Sequence, residues 1–180
     1  LDSYGAERAA HVRALTTRLK GLGAIICERD PVRARERDAR LLAECGGVVR
    51  DTPRQDVLPL LVTGLLSARE TPGRGSLFPQ PRLADGTLMD GRCGTGWRLV
   101  LDASASGGAH ATAAAGDADL RVIDLGDPAT AEAEGVVAAW MRRHGCHAAL
   151  VRPDHYVYGT ASTVPEIDAL RAERRVALGR

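Results

Sequence analysis

The stretch Ala148–Ala161, AALVRPDHYVYGTA, decides the fold, because it reads as a tight hairpin between two short strands. Ala149 and Val151 point to one side and Leu150 to the other, so the first strand is apolar on both faces, as an inner strand of a covered sheet must be. Pro153 and Asp154 turn the chain. Proline pre-sets φ for a turn position, and the Asp side chain hydrogen-bonds nearby backbone amides. Tyr156, Val157 and Tyr158 restart a strand with β-favouring residues, which Gly159 and Ser162 end. Beyond them Thr163–Leu178 reads as a final helix. Val164, Ile167, Leu170 and Arg174 share one face, and Pro165 sits in the first turn, where its missing N–H costs nothing.

Upstream of the hairpin, TAEAEGVVAAWMRRHG reads as a helix that Asp127-Pro128 starts and Gly145 stops, with Val136, Val137, Trp140 and Met141 as its packing stripe. LRVIDLG before it and WRLVLDA from Trp97 read as buried strands. Between them SASGGAHATAAAGDA is a poor helix or a loop, rich in Ala but broken by Gly107, Gly108 and Gly116. The order is β-α-β-α-β-β-α. Crossovers between parallel strands followed by one terminal antiparallel hairpin give an α/β, thioredoxin-like arrangement spanning residues 75–180.

The first 74 residues read differently. Val12, Leu15, Leu19 and Leu22 fall at helical spacing, behind a cap at Asp2 or Ser3. A second helix follows Asp30-Pro31 and ends at Gly46-Gly47. It is highly charged, with only Val32, Ala39, Leu41 and Leu42 to bury, and reads as a solvated helix lying over a larger body. Val48–Arg74 carries prolines around the apolar run VLPLLVTGLL, an irregular connector with one short helix. The apolar residues Leu58–Leu66 and the pair Leu77-Phe78 are expected to be covered by another copy or by the chain's own helices. LFPQPRLADGTLMD, with Pro79, Pro81 and an Asp85-Gly86 turn, suggests an edge hairpin.

Composition narrows the function classes. Of 180 residues, 44% are hydrophobic but only 3% aromatic, so the core must be mostly Ala, Val and Leu. A formal charge of +1 gives a nucleic acid or an anionic membrane no long-range attraction. No apolar run approaches the roughly 18 residues of a membrane span, and no signal-peptide core opens the chain, so a cytoplasmic setting is expected. Cys27, Cys45, Cys93 and Cys146 are scattered, without a CxxC pair or metal-ligand spacing.

The fold order raises thiol oxidoreductase chemistry, which requires a thiolate just after the first core strand, at a helix N-terminus that stabilises the anion. That position reads Asp102-Ala103-Ser104-Ala105-Ser106. Cys93 precedes the strand, and Cys146 follows a helix C-terminus, where the dipole has the wrong sign. Gly91, Gly94 and Gly96 also precede a strand, so they do not form a phosphate-binding loop. His144 and His147 flank a helix end and suit carbonyl capping better than metal binding. His110 and His155 stand isolated. Arg152 and Asp154 bracket the turn proline and could pair with each other or with a partner chain.

Three segments together resemble FAD-dependent aromatic hydroxylases. LDSYGAERAAH, with Tyr4, Glu7 and Arg8, is similar to the "L-x-x-Y-x-x-E-R-x-P-H" segment through which those enzymes leave their flavin domain, with Ala10 in place of proline. GSLFPQPRLADGTLMDGRCGTGWRLV, with Pro79, Pro81, Asp85 and Gly86, resembles their "Q-P-x-V-x-x-x-D-G" passage. LVRPDHYVYGTA, with Arg152, Pro153, Asp154 and Tyr156, resembles their "L-V-R-P-D-G-Y-V-A" hairpin, with His155 where glycine is common. The likeness is strongest to 3-(3-hydroxyphenyl)propionate and phenol hydroxylases.

The resemblance implies that residues 1–74 are the helical tail of a flavin and substrate body and that 75–180 are its thioredoxin-like C-terminal domain. In such a parent NADPH or NADH reduces FAD, and a phenolic substrate is hydroxylated with oxygen. No flavin-binding, catalytic or metal-ligating residue carries over onto a position of this sequence. The implied partners are the N-terminal flavin domain and a second copy of the chain. The contrasting expectation, supported by fold order alone, is a stand-alone thioredoxin-like binding or redox domain.

Overall fold

The computed structural model describes residues 2–49, 51, 54–102 and 117–179. It divides into two compact units, Leu1–Pro59 and Leu60–Arg180.

The first unit is helical. α1 runs Asp2–Ile26, as the spacing predicts; the caps named at Asp2 and Ser3 lie on side chains outside the described set. α2 spans Pro31–Glu44. Asp30 caps it by accepting from the amides of Val32 and Arg33 at 2.9 and 3.0 Å, which satisfies donors that have no partner inside the helix. Gly46 and Gly47 stop it at positive φ, and the Gly47 amide donates back to the Leu42 carbonyl. A one-turn α3, Arg54–Val57, is the short helix expected in the connector. Among the described residues of this unit no hydrophobic side chain is buried. Only Glu7 and His11 are, and the His11 ring lies 3.1 Å from the Pro59 carbonyl oxygen.

The second unit is built on a four-stranded sheet. Its strands are β1 Trp97–Leu101, β2 Leu120–Asp124, β3 Ala148–Val151 and β4 Val157–Ala161, in the order β2-β1-β3-β4. β1 and β2 are parallel, whereas β3 runs antiparallel to both β1 and β4. The sheet thus holds one parallel pair, and the second crossover ends in a strand of opposite sense. This mixed sheet is compatible with the thioredoxin-like arrangement. The poor helix or loop expected after β1 lies outside the described residues.

Alternation along the strands feeds two cores. Val100, Ile123, Ala149, Val151 and Val157 join Phe78, Leu83, Met89, Trp140 and Met141 on one face. Leu99, Leu101, Ala148, Leu150 and Tyr158 join Ile167 and Leu170 on the other. α5, Val136–His144, covers the first face and is stopped by Gly145 in the left-handed region; α6, Val164–Ala177, covers the second. Ile167, Leu170 and Arg174 are buried along the expected stripe of α6.

Three sequence expectations are corrected. Asp127-Pro128 does not start α5: the Asp127 carboxylate accepts from Ala129 and makes a local turn, and Gly135, at φ 65°, separates that turn from the helix. The Glu132 carboxylate then accepts from the amides of Val137 and Ala138, capping the late start. Gly159 does not end β4 but sits inside it, because a Cβ there would lie 2.8 Å from Leu170 Cδ1 and 3.1 Å from Ser67 Cβ. The LFPQPRLADGTLMD hairpin shrinks to a turn around Asp85-Gly86 with a single Arg82–Leu88 bridge, after which a short α4, Met89–Cys93, takes over.

The outer edge of β4 is not left open. Residues 66–78 lie along it, with the Ser67 amide donating to Tyr158, Gly75 to Val157 and Phe78 to His155, and the Val157 amide donating to Ser76. The Thr160 amide donates to the Thr71 hydroxyl, whose neighbour Pro72 accepts from the Thr160 hydroxyl. Such a cover removes the unpaired edge that would otherwise recruit another strand. Of the apolar residues expected to be covered, Leu61 and Phe78 are buried within this unit and Leu65 is half-buried, but Leu60 and Val62 stay exposed.

Candidate functional site

The hairpin tip is where the unit concentrates its polar chemistry. The Arg152 guanidinium donates through Nε and Nη2 to both carboxylate oxygens of Asp154, at 3.0 and 2.8 Å, and through Nη1 to the Leu65 carbonyl. The two residues pair with each other, and a bidentate fork of this kind fixes the turn around Pro153. The Arg152 amide donates to the Tyr156 carbonyl and the His155 amide to the Arg152 carbonyl, closing the loop.

His155 is not isolated. It is the only non-glycine residue with positive φ among those described, at 68°. That is a left-handed conformation glycine adopts without cost, which accounts physically for glycine in the motif this hairpin resembles. Its Nδ1 lies 3.1 Å from Arg98 Nη2 and 3.3 Å from Asp90 Oδ2. Arg98 also pairs with Asp90 and is buried within β1, its Nε having no hydrogen-bond partner. The only hint of this cluster in the sequence is a charge inside the buried run WRLVL; nothing there pairs Arg98 with Asp90 or His155.

The remaining motif residues fall into separate local groups. In α1 the Arg8 guanidinium lies over the Tyr4 ring at 5.7 Å and 3.8 Å from the buried Glu7. The Asp85 carboxylate accepts from the Thr87 amide and hydroxyl, which holds its pKa below the ordinary value, and Gly86 takes φ 84° at the turn. Pro79 and Pro81 are buried, and the Pro81 carbonyl accepts from the Met89 amide. Tyr156 is buried and bridges to Leu77.

Neither buried thiol is activated. Burial pushes Cys146 up to about 11, with the Asp102 carboxylate adding to the effect, and burial likewise raises Cys93. The His144 ring lies against Trp140, with centroids 4.4 Å apart and planes tilted by 50°, and His147 Nδ1 lies 3.5 Å from Asp102. Among the described residues no group of three or more His, Cys, Asp or Glu could hold a metal ion, and no helix is long and apolar enough to cross a membrane. His110 and Ala103–Ser106 lie outside the described residues.

The turn after β2 does not fit the pyrophosphate of a flavin dinucleotide. At the end of β2, where a strand-to-helix turn could cradle phosphate, the amides of Gly126 and Ala129 are taken by the carboxylates of Asp124 and Asp127. Two negative charges there oppose a pyrophosphate. A cavity of about 200 Å³ near Pro72, Gly145, Cys146 and Leu170 offers no better cradle. Its Thr160 and Ser162 hydroxyls donate to backbone carbonyls, and its Glu166 carboxylate accepts from the Ser162 and Thr163 amides.

Comparison with known proteins follows the same line. The chain is 32% identical over 185 residues to the probable NADH-specific resorcinol 4-hydroxylase of Rhodococcus jostii (strain RHA1), an alignment covering 96% of this chain and 34% of that protein. The chain therefore spans about a third of the relative's length. The model of the HcaD C-terminal domain matches residues 75–174, the span holding the sheet, the hairpin and nearly all of α6. The chain belongs to the HcaD C-terminal domain family.

Proposed function

We propose that this chain is the C-terminal portion of a flavoprotein monooxygenase that hydroxylates a phenolic aromatic compound with NADH or NADPH and oxygen, and that its own role is support and association without catalysis. The observation that carries the reading is α1: Val12, Leu19, Leu22 and Ile26 are 42–78% exposed along one stripe of a helix whose unit buries no described apolar side chain. A helix with an uncovered apolar stripe requires a body to lie against. The relative, three times as long, supplies a source for one, and its name supports a resorcinol-like substrate and NADH.

The proposed division assigns 1–74 to the tail of the flavin body and 75–180 to the C-terminal domain. The family match from Gly75 supports it, although residues 60–74 fold with the sheet rather than with α1 and α2. The same reading gives the chain two partners, the flavin domain and a second copy.

The test compares the full-length natural product carrying this sequence with the 180-residue chain. The long protein is expected to be yellow and to oxidise NADH in the presence of resorcinol, the short one to be colourless and inactive. Flavin bound to the short chain, or substrate-dependent NADH oxidation by it, overturns the non-catalytic role. A natural product without flavin overturns the parent. The thioredoxin-like fold alone supports a redox reading, and alkylation decides that: Cys93 and Cys146 are expected to resist iodoacetamide at neutral pH while the exposed Cys27 and Cys45 react.

A further inference from the structure

His155 Nδ1 sits between a group that can only donate and a group that, ionised, can only accept. Arg98 keeps its protons at any ordinary pH and presents Nη2 at 3.1 Å; the Asp90 carboxylate presents Oδ2 at 3.3 Å. One ring nitrogen cannot serve both. With Nδ1 bare it accepts from Arg98, and with Nδ1 protonated it donates to Asp90. Whether Nδ1 carries a proton therefore selects its partner.

We propose that His155 is a proton-operated clamp that ties the β3–β4 hairpin tip to β1 through Arg98 when neutral and to α4 through Asp90 when protonated. The ring is 38% exposed, so protons reach it from solvent, while Asp90 and Arg98 are 17% and 1% exposed and hold the two anchors still. The other charges around it are engaged elsewhere. On the turn, Arg152 and Asp154 pair with each other, and on α4, Arg92 lies 3.6 Å from Asp85. From the strap along β4, the Phe78 amide holds the His155 carbonyl, so the backbone stays in place while the ring changes partner. The left-handed backbone at His155 is the conformational cost of placing an imidazole where glycine would sit freely.

The inference rests on no reading of the parent's activity and is tested on the chain itself by long-range ¹H–¹⁵N spectra of the imidazole. At alkaline pH the neutral ring is expected as the Nε2–H tautomer, with Nδ1 as acceptor. On acidification an Nδ1 proton should appear in slow exchange, held by Asp90, and Asp90→Asn should speed its exchange about tenfold or more, as loss of a charge-assisted hydrogen bond implies. An Nδ1–H tautomer at alkaline pH overturns the clamp, because Arg98 Nη2 then has no acceptor on the ring. If Asp90→Asn fails to fold, the wild-type acid spectrum decides alone: a ring proton exchanging as fast as that of a free imidazole also overturns it.

Discussion

The two units make helices by the same local rules and hold them by different means. In residues 1–59 the devices are local: the Asp30 cap, the Gly46-Gly47 stop, and ion pairs such as Arg40–Glu44 at helical spacing. In residues 60–180 each helix lies on a sheet face and buries its stripe in a core. Caps and exposed ion pairs contribute about 1 kcal/mol or less each, whereas a buried leucine contributes several times that. The difference teaches that the second unit carries a core of its own, while the first buries none of its described apolar side chains.

The contrast is broken most directly in the core of the sheet. Leu150→Ala, at a fully buried position on β3, is expected to lower unfolding free energy by about 4 kcal/mol in urea titration. A loss below about 1 kcal/mol would mean that the two apolar clusters do not hold the unit.

Gly75→Ala tests the edge cover. A Cβ there would lie 2.1 Å from the Leu61 carbonyl oxygen, at a backbone φ of 75°. The expected cost is about 3 kcal/mol, with faster amide exchange in β4, since both the clash and the left-handed strain must be relieved. Unchanged exchange in β4 would detach the strap from the sheet's stability.

Alkaline pH probes the same core through Cys146. Its folded pKa of about 11 stands above an ordinary 9.0, so its neutral form is favoured by folding. That contribution is fully present below pH 9 and is lost as pH rises toward 11. Tyr158, pushed up to about 12 by burial, extends the decline above pH 10. Stability measured by urea titration should fall by about 2 kcal/mol over the thiol's window, and Cys146→Ala should flatten that part of the profile.

The smallest effect is the most informative about the first unit. Leu19→Ala on α1 should change the stability of this chain by less than about 0.5 kcal/mol, because the side chain is half exposed. In the full-length protein the same substitution should cost about 2 kcal/mol if a body covers the stripe. Equal, negligible effects in both would remove the docking role of α1.

The hairpin and α6 were legible because their signals are local and mutually consistent: β-favouring residues around a Pro-Asp turn, then a proline in the first helical turn and apolar residues three or four apart. The start of α5 was misread for a local reason too. Asp127-Pro128 is a sound helix opening, but the cap comes from Glu132, five and six residues before the amides it holds, and Gly135 stands between. The clusters were not legible at all. Arg98 and Asp90 are eight residues apart on a strand and a short helix, and His155 reaches them only because the hairpin folds back beside β1.

By itself the sequence determined the strand and helix periods, the Asp30 cap, the glycine stops of α2 and α5, the absence of a thiol at the redox position and the family resemblance, since each depends on residue types at short spacing. Tertiary structure alone decided that β3 runs antiparallel to β1, that residues 66–78 seal the β4 edge, and that one imidazole lies between Arg98 and Asp90. Those outcomes depend on which distant segments share a face, and that is set by the packing of the whole sheet.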